Sequence, residues 1–287
     1  MKILITGKNS YIGNSVEKYL QKKGNDFFIE QLDMQGDKWK KYNFSSCDVV
    51  LHVAGLAHRK ITKDKETYYF KVNRDLAAEA AEKAITEGVH HFIFVSTMSV
   101  YSEKDAHITK KTLTSPDNVY GLSKLQAEDK IKELSNESDC IISIIRPPMI
   151  YGKGCKGNYN SLRKIALTFP VFPKIKNKKS MLYIDNLSEL IYQIICSKAS
   201  GTYYPQNKEL VNTSEWASLI AKENGCNLHL SRFLGWCVIL GKYIPGLRGY
   251  CIKAFNDSYY EPSMSIYKNM NYQRVSFKES IKLSEER

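Results

Sequence analysis

Short β-branched and aromatic runs alternate with helical periodicity through the first half of the chain. KILIT (2–6) opens the series, followed by FFIEQL (27–32), DVVLHVAG (48–55), HFIFVST (91–97) and CIISIIRPP (140–148), each reading as a strand. Between them the spacing turns helical. Val16, Tyr19 and Leu20 share one face of a helix over 15–23, a second helix covers 75–86, and a third begins near Tyr120. Strands that alternate with helices in this way predict an α/β fold, a doubly wound parallel sheet with crossover helices. Ligands of such a sheet bind outside the carboxyl ends of its strands.

After Pro148 the pattern loosens into Gly-, Pro- and Lys-rich segments between helices at 186–197 and 214–224. No internal repeat occurs. Residues 1–148 are therefore expected to form a dinucleotide-binding domain to which later segments return. Residues 149–287 are expected to form mainly a smaller, mixed substrate lobe, with the cleft between the two holding substrate.

Composition narrows the class. Of 287 residues, 43% are apolar and 25% charged, which suits a globular protein and not a disordered one. Lys+Arg 42 against Asp+Glu 30 leaves a net charge of +12, pointing to an anionic partner: nucleic acid, a membrane surface or a phosphorylated substrate. The excess is concentrated. Between Asp139 and Asp185 there is no acidic residue, while Arg146, Lys153, Lys156, Arg163, Lys164, Lys174, Lys176, Lys178 and Lys179 all fall there. A phosphorylated substrate needs such a field.

Seven cysteines form no CxxC pair and no Cys/His cluster with zinc spacing, so no metal is expected and the thiols read as free in a reducing cytoplasm. MKILITG enters a strand directly, without the basic segment or cleavage site of a secretory signal. Phe233 to Leu247 is too short to span a bilayer and is broken by Lys242 and Pro245, so no membrane span is expected. The longer segment FLGWCVILGKYIPGLRGY reads as a partly buried helical hairpin, with an apolar surface resting on a membrane as the alternative. His90 and His91 are expected at the surface, and His52 and His58 in structural positions beside a loop.

Candidate chemistry lies at the strand ends. Thr6, Gly7, Lys8, Asn9, Ser10, Tyr11, Ile12 and Gly13 join the first strand to a helix. Such a turn presents backbone N–H groups and the positive end of a helix dipole to a pyrophosphate, although Ser10 stands where a glycine would allow the closest approach. VSTMSVY (95–101) follows the fourth strand, and NVYGLSK (118–124) places Tyr120 and Lys124 four apart on one helix face. An ammonium beside a phenol, together with a cationic cofactor ring, lowers the phenol's pKa and equips it to exchange a proton with a sugar hydroxyl. The Thr97 hydroxyl could orient the same oxygen.

With these segments in view, the chain resembles the extended short-chain dehydrogenase/reductases, and within them the NAD-dependent epimerase/dehydratase family, a Rossmann-like fold. TGKNSYIG resembles its cofactor turn; HVAGLA (52–57), with Val53, Ala54 and Gly55, resembles its loop over the cofactor; and Asn73 in VNRD resembles its interior asparagine. RPPMIYGKG (146–154) and SMLYIDNL (180–187) are similar to its substrate-domain signatures. The resemblance implies NAD or NADP as cofactor, Tyr120 as acid/base, Lys124 on the nicotinamide ribose and Thr97 as positioner of the reacting oxygen. It further implies a nucleotide-sugar substrate, with Asn158 and Lys179 near the diphosphate, and is compatible with a homodimer through helices near 75–86 and 120–134.

The departures from the family pattern select among its reactions. Met98 and Ser99 stand where sugar dehydratases carry an acidic pair, which speaks against water elimination. Gln31 replaces the carboxylate expected on the adenosine ribose, while Lys8, Lys38, Lys40 and Lys41 could receive a 2′-phosphate. Met149 replaces a frequent asparagine. These features favour a cytoplasmic C4-ketoreductase of a UDP-sugar, acting on a 4-keto-6-deoxy or N-acetyl hexose, with a UDP-sugar 4-epimerase retaining NAD as the alternative. A non-catalytic NAD(P) sensor or nucleic-acid-binding relative is a third reading. The intact Thr97, Tyr120 and Lys124 argue against it, and no nucleic-acid partner is expected.

Overall fold

The computed structural model describes residues 1–24, 26–57, 63–136 and 138–286. In chain order the elements of its first half are β1 (Lys2–Thr6), α1 (Tyr11–Lys23), β2 (Phe28–Leu32), β3 (Val49–His52), α2 (Lys63–Phe70), α3 (Leu76–Thr86), β4 (His91–Val95), β5 (His107–Ile108), α4 (Val119–Ser135) and β6 (Ile141–Ile145). The second half adds β7 (Met149–Tyr151), α5 (Asn158–Thr168), β8 (Val171–Pro173), β9 (Met181–Tyr183), α6 (Ile184–Ser197), β10 (Gly201–Tyr203), α7 (Thr213–Glu223), β11 (His229–Ser231), α8 (Arg232–Gly241), α9 (Arg248–Phe255), β12 (Tyr259–Tyr260) and α10 (Phe277–Glu285).

Six strands form one parallel sheet in the order β10-β6-β4-β3-β1-β2. The chain goes from β1 outward to β2, then crosses to β3 on the other side of β1. That reversal is the topological switch point, and the crevice it opens lies at the carboxyl ends of β1 and β3.

Side-chain alternation divides each strand between two layers. Ile3, Ile5, Leu51 and Ile93 face one side and pack with Val16 and Leu20 of α1 and with Leu187, Ile191 and Ile194 of α6. Leu4, Val50, Phe92 and Phe94 face the other, against Ala77, Ala80, Ala81 and Ala84 of α3 and Ala127 and Ile131 of α4. The alanine face of α3 has no side-chain bulk to hold it off the sheet, so the large residues come from the strands. Across the first layer, Glu189 of α6 accepts from the Tyr19 hydroxyl at 2.5 Å and pairs with Lys23 at 2.7 Å, tying α6 to α1.

Beyond β6 the chain builds two two-stranded parallel pairs, β7-β9 and β8-β11, and β12 returns to pair in parallel with the earlier β5. Tyr151 stacks on Tyr159 at a centroid distance of 5.8 Å and Trp216 leans against Tyr159 at 5.5 Å, which fixes α5 and α7 around β7. The Tyr151 hydroxyl receives a hydrogen bond from Asn207 at 2.8 Å and exchanges one with Ser280 of α10 at 2.5 Å. β10 leaves this region and pairs with β6 at the edge of the central sheet.

One expectation is corrected and a second is refined. His91 is buried inside β4 rather than at the surface, because its ring Nε2 donates at 2.8 Å to the hydroxyl oxygen of Ser143 on neighbouring β6, whose own hydrogen goes to the Ala199 carbonyl; His90 is exposed. The segment from Phe233 onward does form the partly buried helix pair, α8 and α9, with Leu234, Val238, Cys251 and Ile252 half-buried, but it is more open than a hairpin core, since Phe233, Trp236, Leu240 and Tyr243 are exposed. His58 lies outside the described residues.

Burial also sets the acid limit of the fold. Desolvation pushes the His91 imidazole down to about 4, and desolvation with the Lys124 charge pushes His52 down to about 3, from an ordinary 6.5. Both are neutral when folded and protonate in the unfolded chain below about pH 6.5, so the stability they allow is complete above that pH and is lost as pH falls toward their folded values. Urea unfolding should therefore weaken steadily between pH 6.5 and 4. In His91→Asn the slope over that window should fall by about 1.4 kcal/mol per pH unit, one proton's worth; an unchanged slope would mean that His91 is not held neutral.

Candidate active site

The turn after β1 is shaped by its glycines and by one capping serine. Gly7 has φ +99°, and a Cβ there would lie 2.9 Å from the Ala54 backbone, so the close approach of the β1 and β3 ends requires glycine. Ser10 is extended, and its hydroxyl accepts from the Gly13 N–H at 3.1 Å as the N-cap of α1. That cap extends α1 back to Tyr11, one turn earlier than the spacing of apolar residues indicates. The N–H groups of Tyr11 and Ile12, in the first turn, have no intrahelical partner and face the crevice end. A cradle of this form fits a dinucleotide pyrophosphate.

Gln31 braces this turn from β2. Its Oε1 accepts from the N–H of Asn9, which sits at φ +62°, and its Nε2 donates to Asn14 Oδ1 at 2.9 Å and to Glu17. Ser10 and Gln31 thus both have structural work within the protein, one as a cap and the other as a strut. Thr6 at the end of β1 is buried and hydrogen bonded to His52 Nδ1 at 2.9 Å, which gives His52 a structural contact.

Thr97, Tyr120 and Lys124 converge at the end of β4. Thr97 Oγ1 accepts from the Ser99 N–H at 3.1 Å, which leaves its own hydrogen for the Tyr120 oxygen, its hydrogen-bond partner. Burial raises the Tyr120 phenol above its ordinary pKa, the Thr97 bond works in the opposite direction, and the nearby Tyr69 adds to the rise. In the protein alone, desolvation therefore outweighs the Thr97 bond, and the lowering expected from a neighbouring ammonium is not seen, the Lys124 ammonium being turned to the Val95 carbonyl. Lys124 is buried, donates to the Val95 carbonyl at 2.9 Å and lies 4.6 Å from the Phe94 ring centroid. Desolvation pushes its pKa down to about 8.

The loop after β3 closes over the same ammonium. A Cβ at Gly55 would come within 3.0 Å of Asn73 Oδ1 and 3.2 Å of Lys124 Nζ. Asn73 is buried in a π-helical turn between α2 and α3, where its Oδ1 accepts from Leu56 N at 2.7 Å and its Nδ2 donates to Ser123 at 3.1 Å. Val53 continues β3 by bonding its N–H to the Thr6 carbonyl at 3.2 Å. Ser123, buried on α4, donates in turn to the Tyr120 carbonyl at 2.8 Å.

Beneath these groups lies a buried charge pair that motif reading missed. Glu128 accepts from Ser96 Oγ at 2.5 Å and from Arg146 at 2.6 to 3.1 Å, and Arg146 also donates to the Tyr101 hydroxyl at 2.8 Å. The available signal was helical spacing: Tyr120, Lys124 and Glu128 fall four apart and share one face of α4.

The structure redistributes the basic run. Arg146 belongs to this buried pair and Arg163 pairs with Glu285 at 2.6 Å, so neither is free for an anion. The run lacks acids in sequence but not in space, because α10 and α4 bring carboxylates to it. Lys179 donates to the Lys253 carbonyl at 3.0 Å, and burial pushes its pKa down to about 8 despite Asp257 and Glu103. Asn158 is exposed at the first position of α5, after Gly157 at φ +98°. Among the described residues, neither Asn158 nor Lys179 hydrogen bonds to Thr97, Tyr120 or Lys124.

A crevice at a parallel-sheet switch point, with a capped glycine turn on one side and a threonine, tyrosine and lysine on the other, is the arrangement of a dinucleotide-binding α/β fold. The model of the NAD dependent epimerase/dehydratase family matches residues 3–195, and the chain belongs to that family, whose cofactor is NAD or NADP. UDP-glucose 4-epimerase of Vibrio cholerae is 31% identical over 206 residues, 67% of this chain and 61% of that protein. UDP-2-acetamido-2,6-beta-L-arabino-hexul-4-ose reductase of Pseudomonas aeruginosa is 24% identical over 209 residues, 70% of this chain and 51% of that protein. The chain thus matches between about half and two thirds of the length of these curated relatives. UDP-glucuronic acid 4-epimerase from Bacillus cereus, solved in complex with NAD, is 18% identical, has a TM-score of 0.75 and aligns over 99% of this chain and 97% of its own, a likeness of fold.

The seat of α4 is the tightest point of the site. A Cβ at Gly121 would lie 2.0 Å from the Ser99 carbonyl oxygen, a backbone atom that cannot swing aside. Gly121→Ala should cost about 1–3 kcal/mol in urea unfolding, as expected of overpacking. Gly249→Ala, on α9 with open space around it, should be neutral or stabilising by up to ~1 kcal/mol. Equal effects of the two substitutions would contradict the close seating of α4.

Proposed function

We propose that the protein is an NAD(P)-dependent oxidoreductase acting at C4 of a UDP-linked sugar, and that its reaction is the reduction of a 4-keto-6-deoxy or N-acetylated hexose. The observation that carries this reading is the convergence of Thr97, Tyr120 and Lys124 beside the capped turn at the end of β1. When bound, the nicotinamide supplies the hydride. The Tyr120 hydroxyl gives its proton to the C4 oxygen as the carbonyl becomes an alcohol, and solvent restores that proton. Thr97, held by the Ser99 N–H, donates to the Tyr120 oxygen and supports the phenolate that remains. Lys124 contributes positive charge beside the ribose and phenol, with Gly55 leaving room for its ammonium.

In this reading residues 1–148, with β10 and α6 returning to them, hold the cofactor, and residues 149–287 mainly hold the sugar nucleotide. Turn residues Gly7 to Gly13 meet the pyrophosphate, and the 53–55 loop and Asn73 shape the nicotinamide side. Asn158 and Lys179 meet the substrate diphosphate. Reduction is favoured over epimerisation by Gln31. A neutral amide already engaged with Asn9, Asn14 and Glu17 grips a ribose less firmly than a carboxylate, as suits a cofactor that leaves each cycle. The similarity to the Vibrio cholerae epimerase supports the second reading, a UDP-sugar 4-epimerase with retained NAD.

Tyr120→Phe should fold and bind cofactor normally while turnover falls roughly 10² to 10⁴-fold, the contribution of a general acid. A near-normal rate would remove the assigned chemistry. Lys179→Ala should raise the substrate KM about ten- to a hundredfold and leave cofactor affinity unchanged. Stoichiometry separates the two reactions: a reductase oxidises one NAD(P)H per product formed from a 4-keto-UDP-sugar, read at the nicotinamide absorbance band with product NMR. Interconversion of UDP-glucose and UDP-galactose, or of their N-acetyl forms, without added reductant would establish the epimerase instead.

A further inference from the structure

Helix α8 rests on the protein by glycine, with its largest apolar residues turned outward, while α9 beside it packs inward through Phe255 against Phe172. Phe233, Trp236, Leu240 and Tyr243 are 75%, 67%, 60% and 82% exposed. The buried positions of α8 are instead Gly235 and Gly241. A Cβ at Gly235 would lie 2.5 Å from the Lys174 carbonyl oxygen, and one at Gly241 would lie 3.0 Å from Cys251 Sγ. Gly235 thus seats α8 on the body of the protein and Gly241 seats it on α9, with Leu234 and Val238 half-buried beside them, and the large apolar residues Phe233, Trp236, Leu240 and Tyr243 form an outward stripe at helical spacing. A contiguous exposed patch of this kind marks an interaction surface.

Charge identifies what the stripe meets. From residue 224 to residue 256 there is no Asp or Glu, while Arg232, Lys242, Arg248 and Lys253 lie within it. Lys174, whose backbone seats Gly235, and the exposed Lys176 and Lys178 widen the basic rim. Asp257, at the edge, accepts from the Lys178 backbone N–H at 2.8 Å. A second copy of this face would set mainly basic residues against basic residues, since the acid at its edge, Asp257, is already engaged with the Lys178 backbone. Among the described residues no helix is long and apolar enough to cross a membrane. Tryptophan, tyrosine and phenylalanine flanked by lysine and arginine suit the boundary between headgroups and acyl chains of an anionic bilayer.

We infer that α8 and α9 form a docking surface for anionic phospholipid membranes, lying in the interface with Phe233, Trp236 and Leu240 inserted and the basic rim on the headgroups. This goes beyond the reaction proposed above and does not depend on it. The full chain should co-sediment with vesicles of phosphatidylglycerol mixed with phosphatidylcholine, and far less with phosphatidylcholine alone or at high salt. Trp39 and Trp216 are 2% and 3% exposed, so a blue shift of tryptophan emission on vesicles should come from Trp236 and vanish in Trp236→Phe while binding persists. Lys242→Ala with Arg248→Ala should weaken partitioning roughly tenfold or more, given about fivefold per basic residue near an anionic surface. Phe233→Ser, Trp236→Ser and Leu240→Ser combined should abolish it, with the urea midpoint and far-UV circular dichroism of the wild type. The proposal is overturned if the wild type stays in the supernatant with anionic vesicles or if the triple variant still binds them. It is overturned equally if the triple substitution converts an oligomer to a monomer while vesicles are never bound.

Discussion

The geometry of the candidate site hangs on a carboxylate that touches none of the reacting groups. Glu128, on α4, has no exposure and is held by the Ser96 hydroxyl after β4 and by the Nε and Nη2 edge of the Arg146 guanidinium after β6. Ser96 directly precedes Thr97, and Glu128 lies one helical turn beyond Lys124. One ion therefore fixes the distance between the strand end that carries Thr97 and the helix that carries Tyr120 and Lys124. A buried pair of this kind adds little net stability over apolar packing of the same shape, whereas removing one partner is costly. Its contribution is positional, and the contact of Gly121 with the Ser99 carbonyl completes the same alignment from the other end of the helix turn.

Most of the fold was legible in the sequence because a parallel sheet covered on both faces leaves continuous apolar runs, and its helices leave a stripe. The five predicted strands correspond to β1, β2, β3, β4 and β6, and the helices at 186–197 and 214–224 correspond to α6 and α7 within a few residues. The sequence motifs likewise located the groups the fold gathers at the β4 end. What was not legible depended on partners distant along the chain. His91 looks like a surface residue until Ser143 is placed beside it on the next strand. The basic run looks unopposed until Glu285 of α10 reaches Arg163 and Glu128 reaches Arg146. Ser10 looks like an obstruction until its hydroxyl is seen capping α1, and Gln31 like a missing acid until its amide is seen supporting Asn9.

The outward stripe of α8 was hidden for a related reason. An apolar helical segment does not itself state which of its faces is inward, and a reading that assumes the large residues are core places the hairpin inside. Glycine reverses that assumption, since a helix approaches a carbonyl oxygen most closely where it has no side chain at all.

The return of α6 and β10 to the central sheet has a consequence for how the chain is made. Leu187, Ile191 and Ile194 of α6 cover the layer that Ile3, Ile5, Val16 and Leu20 begin, and β10 seals the β6 edge. A ribosome that has released the first five strands of the sheet has produced one face covered by α3 and α4 and one covered only in part, by α1. The uncovered part stays open until the residues of α6 emerge some fifty positions after β6 starts, about a few to ten seconds at ordinary elongation rates. Over that interval the nascent chain is an aggregation hazard and a natural client for chaperones. The first half is consequently a cofactor cradle in shape only, and it acquires independent solidity when the second half has been synthesised and has threaded its helix back.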